Sequence, residues 1–121
     1  NVSLQGIVLK PNMILSGYSC SYQASIEEVA EKTVNCLSVH VPSEVPGIAF
    51  LSGGQSDEHA TLHLNEMNKY DSDWNLTFSY GRALQQSALK TWSGKTENVT
   101  DAQEAFIEKA KANSLATVAG L

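Results

Sequence analysis

Three observations predict an α/β fold built on a parallel sheet. Short apolar runs alternate with longer segments of helical period, in the order strand, helix, strand, helix, strand, helix, helix. Alternation of this kind forms right-handed βαβ units. Each run reads as apolar on both faces, which suits parallel strands covered on both sides. Each also stops on chain-breaking residues: Pro11 after the first, Ser52-Gly53-Gly54 after the second, Gly81 after the third.

The first strand is expected over Leu4–Lys10. Ile7, Val8 and Leu9 favour strand, and Pro11 ends it because it lacks a ladder N–H and holds Lys10 extended. Residues 11–23 form a polar loop. Ser25 then opens a helix, with Glu28 three residues on in a capping-box pattern. Ile26, Val29, Ala30, Thr33, Val34 and Leu37 line one face of that helix, which ends before Pro42. A turn over Val41–Pro46 leads to the second strand, Gly47–Leu51. Ser56 caps the next helix, whose first turn carries Asp57 and Glu58 near its positive end. Ala60, Leu64 and Met67 mark its buried stripe. After a polar loop over Lys69–Asn75, the third strand is Leu76–Tyr80. A helix from about Ala83, with Leu84, Ala88 and Leu89 apolar, ends near Ser93-Gly94, where the glycine supplies the C-cap. The last helix runs from about Asn98 to Ala116. Its apolar face is Val99, Ala102, Phe106 and Ala110; Asp101, Glu104, Glu108 and Lys111 are read as solvated.

Composition narrows the function. The chain has 121 residues, 42% hydrophobic and 17% charged, with a formal net charge of −5. That suits one modest domain. The acidic balance and the lack of a basic cluster argue against nucleic acid as a partner. No apolar run reaches the roughly 20 residues that span a bilayer, so no membrane segment is expected. Cys20 and Cys36 lack metal or CxxC spacing and read as free thiols of a reducing compartment. Sequons at Asn1, Asn75 and Asn98 favour a secreted glycoprotein instead, though such tripeptides arise often by chance. His59 and His63 have the i,i+4 spacing that could hold a metal on a helix. Without a supporting cysteine, His40, His59 and His63 read as surface residues. Trp74 and Trp92 read as packing residues. Three strands cannot close a barrel, and helices on one face leave the other bare. The chain also opens within a strand, so a piece of a longer polypeptide is expected.

Parallel strands present their carboxyl ends at one edge, where catalytic groups of parallel barrels sit. Those ends are Lys10, Ser52-Gly53-Gly54 and Ser79-Tyr80-Gly81-Arg82. Lys10 has two readings: a lysine that snorkels into water, or a partly desolvated amine that attacks a carbonyl to form a Schiff base. Ser-Gly-Gly alone is a common tight turn, and an arginine at a helix start is commonly surface. At the ends of consecutive strands, the open backbone of the glycines and the guanidinium fork together point to a phosphate site.

The runs LKPNM around Lys10, FLSGGQS from Phe50 to Ser56, LNEMNK from Leu64 to Lys69, FSYGRALQQSALKTW from Phe78 to Trp92, and KANSLA from Lys111 to Ala116 closely resemble class I fructose-bisphosphate aldolases. The resemblance covers essentially the whole chain. It implies a (β/α)₈ TIM barrel of which residues 1–121 are a single partial domain, the last three β/α units plus a C-terminal helix. It implies Lys10 as the Schiff-base lysine. Ser52, Gly53 and Gly54 then bind the C1 phosphate of the ketose, with Ser79, Gly81 and Arg82 in the partner loop. The implied reaction is reversible cleavage of fructose 1,6-bisphosphate to dihydroxyacetone phosphate and glyceraldehyde 3-phosphate. A phosphorylated sugar is the implied partner, with no metal and no cofactor, in a homo-oligomer, a tetramer, of the cytoplasm or the plastid. Gln5 departs from the glutamate many members carry before the lysine strand. The family's acid/base carboxylates lie upstream of Asn1, and its extended tail with a terminal tyrosine lies beyond Leu121. The rival expectation is a non-catalytic fragment or paralogue that keeps the phosphate loops and binds anions or proteins.

Overall fold

The computed structural model describes residues 1–121. Three parallel strands, β1 (Val8–Leu9), β2 (Gly47–Phe50) and β3 (Asn75–Phe78), form one sheet in the order β1-β2-β3. Val8 pairs with Gly47, and Phe50 with Phe78. The helices are α1 (Ile26–His40), α2 (Asp57–Met67), α3 (Arg82–Trp92) and α4 (Val99–Ala116), with single 3₁₀ turns at Leu4–Gly6 and Thr96–Asn98. This is the expected α/β class with a parallel sheet. None of the helices is long and apolar enough to cross a membrane.

Sequential strand order with right-handed crossovers puts the connecting helices on one face of the sheet. Burial alternates accordingly along β2: Ile48 and Phe50 are fully buried, whereas Gly47 and Ala49 are half-buried on the other face. The core gathers Val29, Ala30, Val34 and Leu37 of α1, Ala60, Leu64 and Met67 of α2, and Leu76 of β3 around them. The continuous apolar runs therefore do not mean cover on both faces within this chain.

Serines nucleate the first two helices as expected. Ser25 Oγ accepts from the Glu28 N–H at 3.2 Å and Ser56 Oγ from the His59 N–H at 3.1 Å, each satisfying one orphan donor. Helix α2 is central and buries polar residues with their partners. Thr61 Oγ1 donates to Asn113 Oδ1 of α4 at 3.1 Å, and Asn68 Nδ2 lies within 3.2 Å of the carbonyls of Leu64, Leu76 and Ala116. Asp57 Oδ2 accepts from Ser87 of α3 and pairs with Lys109 of α4 at 2.9 Å. The Lys109 ammonium, then the Ser87 hydroxyl, hold the Asp57 carboxyl below its ordinary range.

Several boundaries differ from expectation. The first strand contracts from Leu4–Lys10 to Val8–Leu9: Leu4–Gly6 turns as 3₁₀, and Val8, in register with Gly47, is 63% exposed because it lies on the sheet face that the helices leave uncovered. At the end of α3 the first left-handed residue is Ser93, φ +49°, followed by Gly94 at +72°. Val99 and Phe106 of α4, expected to be packed, are exposed together with Leu89, Trp92 and Ile107. These residues line an apolar groove of about 800 Å³ between α3 and α4. Trp92 is thus not a packing residue here, whereas Trp74 is buried and donates Nε1–H to the Pro42 carbonyl.

Candidate active site

The parallel register brings the three strand ends to one edge. Pairing continues past the strands: Leu51 N–H donates to the Pro11 carbonyl at 3.0 Å and Ser79 N–H to the Phe50 carbonyl at 2.8 Å. The segment leaving Lys10, the Ser52-Gly53-Gly54 turn and the Ser79–Arg82 segment therefore lie side by side. All seven residues singled out from the sequence fall along this edge. Lys10 is exposed and takes no part in the three ion pairs, Lys32–Glu28, Lys69–Glu66 and Lys109–Asp57.

The middle segment is a glycine turn by necessity. Gly53 and Gly54 have φ of +56° and +81°, and Gln55 N–H closes the turn onto the Ser52 carbonyl at 3.0 Å. Side chains from the loop after β1 press against it. A Cβ on Gly53 would lie 2.6 Å from Asn12 Oδ1, and one on Gly54 2.8 Å from the Tyr18 hydroxyl. Tyr18 donates that hydroxyl to the Gly53 carbonyl at 2.9 Å. Asn12 Oδ1 accepts from the Met13 N–H at 2.9 Å. Ser52 is buried and Gly54 exposed, so the turn rises from the interior to the surface.

The third segment differs from the starts of α1 and α2. Gly81 supplies no side chain to cap α3, so the N–H groups of its first turn gain no side-chain acceptor at the helix's positive end. Arg82, the first helical residue, is exposed and forms none of the three ion pairs. An uncapped helix start beside an unpaired guanidinium offers donors and positive charge that suit an anion. Tyr80, between Ser79 and Gly81, points the other way. Its buried hydroxyl donates to the Ala60 carbonyl of α2 at 2.8 Å, and burial raises its pKa.

Behind the glycine turn stands a residue whose placement overturns the surface reading for one of the three histidines; His40 and His59 are exposed as expected. His63 is 4% exposed, with Nδ1 2.6 Å from Gln55 Oε1. Burial, with a smaller contribution from neighbouring His59, pushes its pKa down to about 4. His59 is exposed, its ring centroid 5.7 Å away. Asn12, Tyr18, Gln55 and His63 were all missed as site residues. Only His63 carried a signal: it stands three residues after Ala60 and four before Met67, on the helical stripe already identified as buried.

A family model, fructose-bisphosphate aldolase class-I, matches residues 1–120. The chain is 59% identical over 120 residues to fructose-bisphosphate aldolase, cytoplasmic isozyme 1, of Pisum sativum, covering 98% of this chain and 33% of that protein. It is 55% identical over 116 residues to fructose-bisphosphate aldolase 2, chloroplastic, of the same plant, covering 96% of this chain and 33% of the relative. The fold superposes with a TM-score of 0.94 on a fructose-bisphosphate aldolase from Plasmodium falciparum solved in complex with TRAP and a small-molecule inhibitor. That match has 50% sequence identity and covers 98% of this chain and 35% of the other. The chain thus spans about a third of the length of the curated relatives it matches.

Proposed function

The chain belongs to the class-I fructose-bisphosphate aldolase family, and from that premise we propose that its parent enzyme reversibly cleaves fructose 1,6-bisphosphate through a Schiff base on Lys10. The observation that carries the proposal is the sheet edge. One strand end offers an amine, the next a glycine turn, and the third an uncapped helix start with Arg82.

The neutral amine of Lys10 adds to the ketone carbon, and the carbinolamine loses water to give an iminium. Breaking the adjacent C–C bond sends its electron pair into that cation, leaving an enamine on the enzyme and releasing the aldehyde. Protonation of the enamine carbon and addition of water then free the second product, dihydroxyacetone phosphate, and regenerate the amine. A base must take the substrate hydroxyl proton; the proposal assigns it to the remaining two thirds of the enzyme. The N–H groups of the Ser52-Gly53-Gly54 turn and of the Gly81-Arg82 helix start, the Ser79 hydroxyl and the Arg82 guanidinium hold the C1 phosphate. Binding at that end orients the carbonyl against Lys10.

On the same reading, residues 1–121 form a partial domain, the last three β/α units and terminal helix of a (β/α)₈ barrel that the rest of the enzyme closes. The Ser-Gly-Gly and Gly-Arg loops then follow the last two strands, where phosphate sites of such barrels recur. The assembly is a homotetramer of the cytosol or the plastid; the relatives include isozymes named for each compartment.

Lys10→Arg in the full-length enzyme tests the chemistry, because it keeps the charge and cannot form the imine. The expected result is loss of cleavage with fructose bisphosphate still bound, measured by coupled assay and by calorimetry. Retained cleavage would refute the role of Lys10. A wild-type enzyme that binds the sugar and never cleaves it would favour the rival non-catalytic, anion-binding reading.

A further inference from the structure

His63 has no part in the chemistry above, yet it is the most buried ionisable side chain near the site. Its surroundings define its state. Gln55 Oε1 can only accept, so the 2.6 Å contact requires a hydrogen on Nδ1. The amide of Gln55 is thereby oriented, and its Nε2 meets Met13 Sδ at 3.5 Å, a weak acceptor. Both ends of this chain of contacts reach functional segments. Gln55 directly follows the Ser52-Gly53-Gly54 turn and closes it through its own N–H. Met13 follows Lys10 by three residues, and between them Pro11 accepts from Leu51 while Asn12 packs against Gly53. Beyond Met13, Ile14 N–H is held by Thr33 Oγ1 of α1 at 2.9 Å.

We propose that His63 is a positioning residue which, through Gln55, locks the phosphate-binding turn to the segment carrying the Schiff-base lysine. The inference rests on the aldolase reading of Lys10 and of the Ser-Gly-Gly turn. An amine and a phosphate held on separate strand ends are useful only at a fixed separation, since small misplacements of bound groups are costly in rate. The backbone bond from Leu51 to Pro11 fixes that separation at the strand level. The His63–Gln55–Met13 brace fixes it where the two loops leave the sheet. A neutral imidazole does this better than an ammonium or a carboxylate, which would place a charge in a buried position.

The test is made on the full-length enzyme. His63→Leu removes the donor and fills its space with apolar atoms. The expected result is a KM for fructose bisphosphate raised about ten-fold, as for one buried hydrogen-bond partner left unpaired, with kcat lowered less than about three-fold. His63→Asn puts an amide N–H near the position of Nδ1 and restores KM to within about two-fold of wild type. Gln55→Leu reproduces the rise, and adding His63→Leu to it changes nothing further, because both act through one contact. An unchanged KM in His63→Leu, no rescue by His63→Asn, or independent losses that multiply in the double variant would each overturn the brace. A wild-type enzyme that does not cleave fructose bisphosphate would instead overturn the reading on which the brace depends.

Discussion

Substituting Gly53 by alanine probes the site through a single methyl group. Two costs are built into its position. The residue sits at φ +56°, where a Cβ adds about 1–2 kcal/mol. The new methyl would also stand 2.6 Å from Asn12 Oδ1. Asn12 is the free end of a side chain and can swing away, but doing so breaks its 2.9 Å bond with the Met13 N–H, worth about 1 kcal/mol. The sum is about 2–3 kcal/mol, and the turn can relieve part of it only by moving the N–H groups offered to phosphate. In the full-length enzyme Gly53→Ala is therefore expected to lower the thermal midpoint by several degrees and raise KM for fructose bisphosphate about ten-fold. An Asn12→Ala background removes the obstruction, so there the same methyl should cost only the backbone part, about 1 kcal/mol less. Calorimetry and steady-state kinetics on the four-member cycle give both quantities. A Gly53→Ala enzyme with wild-type KM and stability would refute the turn geometry, and equal costs in both backgrounds would refute the contact with Asn12.

Arg82→Ala should weaken binding of fructose bisphosphate by roughly 10- to 150-fold, the range of a charge-assisted hydrogen bond of about 1.5–3 kcal/mol, and leave an unphosphorylated analogue almost unaffected; equal losses for both ligands would contradict the phosphate assignment. Asn68→Ala leaves the Leu76 and Ala116 carbonyls without the amide that joins them, so hydrogen exchange should accelerate over the last turn of α4, about ten-fold or more, and unchanged protection there would contradict the pinning. His63 supplies a pH signature. Its folded-state pKa of about 4 lies below the ordinary 6.5, so the unfolded chain binds a proton that the folded protein refuses. This contribution is fully present above pH 6.5 and is lost as pH falls towards 4. The shift corresponds to about 3 kcal/mol, and the cavity that His63 borders with the titratable side chains of His59 and Tyr18 admits solvent and reduces it to about 2 kcal/mol. Denaturation of wild type and His63→Asn at pH 7.5 and 4.5 should differ by that amount; parallel pH profiles would contradict it.

Element order and the strand-end residues were legible because both depend on local pattern. The serine caps at Ser25 and Ser56, the stripe from Val29 to Leu37 and the stops at Pro11, Gly53 and Gly81 each need only near neighbours in sequence. What was misread depends on partners distant in the chain or outside it. Val8 reads as a buried strand residue, yet it lies on the sheet face that no helix of this chain covers. Val99, Phe106 and Trp92 form an apolar face by periodicity, but within this chain they line a groove and not the core. His63 looked like one of a surface pair because histidine is common at surfaces. Its place on the Ala60–Met67 stripe outweighs that, and only Gln55, brought up by the turn, makes its burial tolerable. Left-handed Ser93, where Gly94 was expected to cap, is a local shift of one residue along the same C-terminal turn. The contacts of Asn12 and Tyr18 with the glycine turn had no local signal, since they arise only when β1 and β2 lie side by side.

The central claim, that Lys10 is the amine that forms the imine, is tested most directly by reductive trapping. The full-length enzyme is incubated with dihydroxyacetone phosphate and a hydride donor, which converts the iminium to a stable secondary amine, and the adduct is located by peptide mapping. A lysine away from the strand-end edge has no phosphate site to hold the ketone against it, so its reaction stays bimolecular and slow. One adduct per subunit is expected, on Lys10 and absent from Lys32, Lys69, Lys90, Lys95, Lys109 and Lys111. An adduct spread over those six, or labelling that persists undiminished in Lys10→Arg, would contradict it.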